Sequence, residues 1–269
     1  MDNLVKTVKI TDEALPIIAA MEWEWENDNL VIGRLTCGQL DRPLYLAVNK
    51  GLDALGGKWD RKLGGHVFTI DPRQRIELLL DTGQVKVVKD GYFPTPRVIG
   101  LEMADMAWLM PEIRVLEPSA GTGELAEAIL ETEPAVDLLV AEKDQRRQQA
   151  LKEKGFRLLA EGDYDFLTAD VGKWPRIIQN PPFENGQDID HVRYAYEHLE
   201  EDGLLVSVMS ESPFFDSRSK ARHFRQWLAM LDHQIIELER GAFSGSGTGV
   251  KAKLVIIHGP SEYLRSRFF

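Results

Sequence analysis

Trp174-Pro175-Arg176-Ile177-Ile178-Gln179-Asn180-Pro181-Pro182-Phe183 decides how the rest of the chain is read. The run from Trp174 to Ile178 is apolar enough for a buried parallel strand. It must end at Pro181-Pro182, because two consecutive prolines offer no N–H to a ladder. Asn180 precedes a proline and is pushed towards an extended conformation. The result is a stiff turn at the carboxyl end of a strand, offering a side-chain amide, backbone carbonyls and an aromatic ring. Ligands of open α/β sheets bind at that end of the strands. Taken alone, the same residues also describe an ordinary Pro-Pro turn capped by a core Phe.

Around this stretch, short apolar runs alternate with amphipathic ones. The runs are Arg114–Leu116, Val136–Ala141, Phe156–Ala160, Ile177–Gln179 and Leu204–Met209. The helical stretches are Glu124–Glu131, Asp144–Lys154, Ile189–Glu200 and Ser217–Leu231. This is the βα alternation of a doubly wound parallel sheet. Two further runs, Gln234–Leu238 and Lys253–His258, are joined by the Gly/Ser-rich loop Gly241–Gly249 with no helix between, so they should pair antiparallel. The expectation is an α/β fold: a seven-stranded Rossmann-like sheet with a C-terminal antiparallel hairpin over residues 92–269. Tyr92-Phe93-Pro94-Thr95-Pro96 forms an extended entry to it, followed by a helix from Arg97 to Met110 that Pro111 stops.

Residues 1–91 read as a small α+β region, a candidate for substrate recognition. Val5–Ile10 alternates like a strand, Ala14–Trp25 has helical spacing, and Asp81-Thr82-Gly83 after Asp71–Leu80 is a turn or hairpin signal. Between Leu52 and Phe68, two Gly-Gly pairs flank a basic segment with an aromatic, Lys58-Trp59-Asp60-Arg61-Lys62. Such a loop could touch phosphates and stack on a base. It could equally be a hairpin with solvated lysines and with Trp59 and Phe68 in the core.

At 269 residues the chain suits one large α/β domain, or one domain plus a smaller one. No apolar run reaches the length of a membrane span. Met1-Asp2-Asn3-Leu4 lacks the layout of a signal peptide. Cys37 is the single cysteine, which excludes an internal disulfide and a cysteine-rich metal site. A cytoplasmic protein with no membrane partner is the simplest reading. The net charge is −11; residues 1–94 carry 14 acids and 12 bases, and residues 95–269 carry 29 acids and 20 bases. Strong nucleic-acid binders are mostly basic, so a nucleic-acid role must rest on local patches.

Val115-Leu116-Glu117-Pro118-Ser119-Ala120-Gly121-Thr122-Gly123 leaves a strand and enters a helix, and its glycines let backbone approach a ligand. Glu142 ends the next strand, 21 residues after Gly121, where a carboxylate can accept two ribose hydroxyls. Gly162-Asp163-Tyr164 ends the third strand, where another acid could meet an adenine amino group. A dinucleotide would want a third glycine; here Gly123 is followed by Glu124-Leu125-Ala126. The acids Glu117 and Glu124 disfavour a pyrophosphate and suit a cationic cofactor.

Glu117–Gly123, Glu142, Asp163 and Asn180-Pro181-Pro182-Phe183, in this order, resemble the class I S-adenosylmethionine-dependent methyltransferases, within them the amino-methylating branch and especially the N6-adenine DNA methyltransferases. The resemblance covers about residues 92–260 and implies an S-adenosylmethionine site made by Phe93, Thr95, Glu117, Pro118, Ser119, Ala120, Gly121, Gly123, Glu142, Lys143, Asp163, Tyr164 and Asn180. It implies catalysis by Asn180, Pro181, Pro182 and Phe183. The Asn180 side-chain oxygen and the Pro181 carbonyl would accept the two N–H bonds of a planar amino group, and Phe183 would stack on the base. RNA bases and protein glutamine amides are acceptors of the same chemical kind. The family's DNA enzymes usually carry a separate recognition region. This chain stops soon after its last strand, so recognition would fall to residues 1–91, to Gly241–Gly249 or to a partner. For DNA the basic candidates are Lys58, Trp59, Arg61 and Lys62, and Arg218, Lys220, Arg222 and Arg225. No metal is needed, and His66, His191, His198, His223, His233 and His258 show no ligand spacing.

Overall fold

The structure, a computed structural model, describes residues 5–27, 30–68, 72–88, 93–239, 243 and 251–260. Tyr92 and, except for Phe243, the Gly241–Gly249 loop lie outside the described residues. The chain forms two compact units. One comprises Met1–Phe93, Phe183–Gly186 and Phe243–Lys251; the other comprises Pro94–Pro182, Gln187–Ala242 and Ala252–Phe269.

The first unit runs β1 (Val5–Lys9), α1 (Leu15–Ala19), β2 (Glu22–Asn27), β3 (Leu30–Arg34), α2 (Arg42–Ala54), β4 (Lys58–Asp60), β5 (Gly65–Phe68), α3 (Arg73–Thr82) and β6 (Gln84–Val88). β1 and β6 form an antiparallel ribbon, and β2-β3-β5-β4 form an antiparallel sheet. α2 starts where the Asp41 carboxylate accepts the Leu44 N–H at 2.9 Å, with a proline in the first turn. Its buried Val48 and Leu52 join Ile18, Phe68 and Leu79 in the core.

Two expectations are corrected in this unit. Ala14–Trp25 is not one helix: α1 ends at Ala19 and Glu22–Asn27 is a strand. The Glu-Trp-Glu-Trp alternation has period two, and pairing with β3 makes that period win. Asp81 and Thr82 are not a turn but the last residues of α3, which ends only at Gly83, in the left-handed region at φ 64°. The basic segment is a β4–β5 hairpin whose turn is tied by the Asp60 carboxylate, accepting from the N–H groups of Lys62 (2.7 Å) and Leu63 (3.0 Å). Phe68 is in the core as the hairpin reading expects, but Trp59 is 55% exposed, lying edge-on to His66.

The second unit runs α4 (Arg97–Met106), β7 (Arg114–Glu117), α5 (Glu124–Thr132), β8 (Asp137–Val140), α6 (Gln145–Glu153), β9 (Trp174–Gln179), α7 (Gln187–Glu197), β10 (Leu199–Ser210), α8 (Ser212–Phe215), α9 (Ser219–Leu228), β11 (His233–Glu237) and β12 (Ala252–His258). The sheet order is β8-β7-β9-β10-β12-β11; the first four strands are parallel, and β12 is antiparallel to both its neighbours. The closing antiparallel hairpin is as expected. Leu116, Ile177, Leu205 and Val255 of the sheet share a core with Val192 of α7 and Phe224 of α9. The central runs are continuously apolar because helices cover the sheet.

Among the described residues the sheet has six strands, not the seven expected. Phe156–Ala160 makes a single parallel bridge, Leu158 to Val140, with hydrogen bonds from the Val140 N–H to the Arg157 carbonyl and from the Leu159 N–H to the Val140 carbonyl. Gly155 and Gly162, at φ 85° and 83°, turn the backbone at both ends of this run and leave little extended chain. α4 stops at Met106, short of Pro111, because Trp108 enters the left-handed region at φ 48°. Among the described residues no helix is long and apolar enough to cross a membrane.

Candidate functional site

The loop from β7 to α5 is built for close approach. Gly121 and Gly123 sit at φ 58° and 97°, where a side chain is strained, and a Cβ on Gly123 would lie 2.8 Å from the Phe156 ring. The Ala120 N–H donates to the Ala141 carbonyl at 2.9 Å, pinning the loop to the end of β8. Pro118 is buried, and the half-buried Ser119 hydroxyl lies 3.4 Å from Nδ1 of His191 on α7. Burial pushes His191 down to about 4, against the nearby Asp165 and Asp190, so the imidazole is neutral at neutral pH.

Glu142 is buried and already engaged. Its Oε2 accepts the Gly121 N–H at 2.9 Å; its Oε1 accepts the Asp144 N–H at 2.8 Å and an Arg147 N–H at 2.9 Å. A carboxylate has about four acceptor positions, and these three donors occupy part of them. Asp144 caps α6 through the N–H groups of Arg146 and Arg147, which carries the Arg147 guanidinium back to Glu142. Beside it, Gln148 bonds the backbones of both Glu142 and Gly162.

Glu117, at the end of β7, is wholly buried. The Ala126 N–H donates to it, but its Oε2 has no hydrogen-bond partner. Burial first, then the neighbouring Glu124 and Glu142, push its carboxyl well above the carboxylate range. An anion held this way is stabilised by a cation placed against it. The unpartnered oxygen therefore fits a cationic ligand and disfavours a phosphate.

The adenine-side residues are mixed. Asp163 is exposed. Tyr164 is buried in the core, its hydroxyl without a partner, and burial raises its pKa. Lys143 points at Asp165, 2.7 Å away, and that hydrogen bond raises the lysine and lowers the acid.

At the end of β9 the Asn180 amide nitrogen donates to the Thr95 hydroxyl at 3.1 Å. Thr95 is 6% exposed, so it is a fixed anchor. Pro181 is buried and Pro182 half-buried. Phe183 belongs to the first unit and stacks there on Phe93, with centroids 6.2 Å apart and planes 21° apart. Both rings are buried, so one face of Phe183 is already covered.

Of the basic candidates, Lys58, Trp59 and Arg61 are exposed on the hairpin. Arg218 pairs with Asp216, Lys220 pairs with Asp190 at 2.7 Å, and Arg222 is exposed. Arg147, Gln148 and His191 join this cluster without being singled out in the sequence, where Asp144–Lys154 reads only as a helical stretch and His191 shows no ligand spacing.

Known structures share this fold. A modification subunit of a type I restriction enzyme from Vibrio vulnificus YJ016 superposes with a TM-score of 0.52 at 17% identity, covering 85% of this chain and 55% of that one. A class I S-adenosylmethionine-dependent methyltransferase from Listeria monocytogenes superposes with a TM-score of 0.52 at 13% identity, covering 82% and 76%. The chain has the class I S-adenosylmethionine-dependent methyltransferase fold. In sequence it is similar to the modification methylase CviBIII of Paramecium bursaria Chlorella virus NC1A, 27% identical over 160 residues, which is 49% of this chain and 41% of that protein. The chain thus spans less than half the length of this curated relative. No family model matches it.

Proposed function

We propose that the chain is an S-adenosylmethionine-dependent N-methyltransferase acting on DNA, with the exocyclic N6 amino group of adenine as acceptor. The observation that carries this is Asn180 at the carboxyl end of β9, directly before Pro181-Pro182, with its amide nitrogen donating to the hydroxyl of buried Thr95. The similarity to a modification methylase and to a modification subunit supports DNA as the polymer.

An exocyclic amino nitrogen is a weak nucleophile because its lone pair is delocalised into the ring. Asn180 Oδ1 and the Pro181 carbonyl accept its two N–H bonds, which favours a pyramidal nitrogen and stabilises the positive charge that develops on it. Thr95 holds the amide so that no reorganisation is needed during the reaction. Phe183 stacks on the base, which must leave the duplex to be reached. S-adenosylmethionine supplies an activated methyl group when bound. Glu117 offers a buried carboxyl that ionises when the cofactor's positive charge lies against it, the Gly121–Gly123 loop offers close backbone, and Glu142 accepts a ribose hydroxyl. Lys58, Trp59, Arg61 and Lys62, with Arg222, meet the DNA backbone and bases.

The test is transfer of a labelled methyl group to DNA, RNA and protein in parallel, followed by nucleoside and amino-acid analysis. N6-methyladenine from DNA is expected. Label confined to RNA or to glutamine overturns the acceptor, and no label in any polymer overturns the reading.

A further inference from the structure

Gln148 is 4% exposed on a helix whose other polar residues largely face solvent. Its amide nitrogen donates to the Glu142 carbonyl at 2.7 Å and to the Gly162 carbonyl at 2.9 Å, and its oxygen accepts the Gly162 N–H at 3.0 Å. A buried amide is costly unless its hydrogen bonds are made. Here both donors and the acceptor are spent on two loops, the one carrying the Glu142 carboxylate and the one that leads into Asp163. The preceding residue, Arg147, holds the same Glu142 by its side chain. α6 therefore grips the acid twice, by backbone and by carboxylate.

We propose that Gln148 is a positioning residue for the nucleoside end of the cofactor site. By fixing the separation of the Glu142 and Gly162 backbones it sets the affinity for adenosine-bearing ligands without touching them. This rests on the S-adenosylmethionine reading. A mere core residue would affect stability and leave ligand affinity alone.

The experiment uses the full chain with Gln148→Met, which keeps the volume and loses all three bonds. Gln148→Glu keeps the acceptor for the Gly162 N–H and loses the donors. Hydrogen exchange at the Gly162 amide reads the bracket without ligand, and exchange is expected to rise in Gln148→Met. Calorimetry then compares S-adenosylmethionine, S-adenosylhomocysteine and methylthioadenosine, which lacks the amino-acid end. All three are expected to lose about tenfold in affinity by the same factor, with kcat at saturation within about twofold of the parent and Gln148→Glu in between. Faster exchange at Gly162 with unchanged affinities overturns the proposal, as does a loss that spares methylthioadenosine. If Gln148→Met does not fold, Gln148→Glu decides, and parent-like affinity in it overturns the proposal. A parent protein that binds none of the three removes the S-adenosylmethionine reading and this inference with it; a parent that binds them as tightly as the variants removes the inference alone.

Discussion

The hairpin at Lys58–Lys62 and the segment from Arg218 to Arg225 read alike in the sequence, as bases set beside aromatic residues, and the fold uses them in opposite ways. On the hairpin the side chains of Lys58, Arg61 and Lys62 are exposed and make no ion pair among the described residues. In the second segment Arg218 pairs with Asp216 and Lys220 with Asp190, while Arg225 donates to the carbonyls of Pro213 and Asp216 at 2.8 Å each, holding the short α8. Arg222 alone of these four is exposed. The density of bases along a sequence therefore does not measure their availability to phosphate. A cation already paired must give up its partner before a phosphate gains from it, so on the proposed DNA reading the hairpin would carry more of the grip.

The largest expected effect fixes the baseline for this contrast. Asn180→Ala should lower kcat about 100- to 1000-fold, the usual cost of losing one group that stabilises developing charge, and leave S-adenosylmethionine affinity within about twofold. It leaves both basic segments intact, so its DNA binding should show the parent's salt dependence. A variant with half the parent's turnover would rule out the role given to Asn180.

The second effect tests the acids of the paired segment. Asp188 is wholly buried; Ser210 donates to its Oδ2 through the N–H at 3.0 Å and the hydroxyl at 2.7 Å. Burial still pushes its carboxyl up to about 6, with Ser210, Ile189 and Lys220 pulling the other way. The folded value lies above the unfolded one of about 3.9. The native state thus binds more protons in between, and stability is lost as pH rises from about 4 to about 6. Asp188→Asn removes this dependence, so the stability of the parent relative to the variant should fall across that window by about 3 kcal/mol at most. Urea midpoints at pH 4.5, 5.5 and 6.5 give the answer, and parallel curves for the two proteins would sink it.

The third compares the two segments directly. Each phosphate contact on duplex DNA adds about 0.9 to the slope of log K against log salt. Lys58→Ala with Arg61→Ala and Lys62→Ala should lower the slope by about 2.7, whereas Arg218→Ala with Lys220→Ala and Arg222→Ala should lower it by about 1, the share of Arg222. Anisotropy titrations between low and moderate salt measure both. Equal changes would erase the contrast, and the reverse order would move the grip to the second segment.

What the sequence discloses follows from the range of the interactions involved. The sheet was legible because Ile177-Ile178 and Leu204–Met209 are apolar whichever way they face. Gly121, Gly123 and Glu142 were legible because a loop between strand and helix has few uses for such residues. β2 was not, because Ala14, Ile18, Met21 and Trp25 fit a helical period while Glu22–Asn27 fits a strand, and pairing with β3 settled it. Gln148 was hidden among polar neighbours on α6, since its partners at Glu142 and Gly162 meet only in the fold. The same holds for Lys220, whose partner Asp190 lies 30 residues earlier.

The smallest expected effect cuts closest to the contrast, because it asks whether Arg218 is a structural cation or a phosphate ligand. Burial would raise the Asp216 carboxyl, but the guanidinium and backbone N–H of Arg218 outweigh it and hold it below its ordinary value. A depressed folded value stabilises above the unfolded pKa and is lost as pH falls through the folded one. Arg218→Ala should therefore cost about 1 kcal/mol or less near pH 7, and the difference from the parent should shrink as pH falls through the lowered Asp216 value. Thermal unfolding at pH 7 and pH 3 measures it. If Arg218 stays paired with Asp216 in the DNA complex of the parent, the same variant leaves the DNA salt slope where it was. If Arg218→Ala instead leaves stability untouched at pH 7 and lowers the slope by about 0.9, the pair opens for phosphate, and the two basic segments are alike after all.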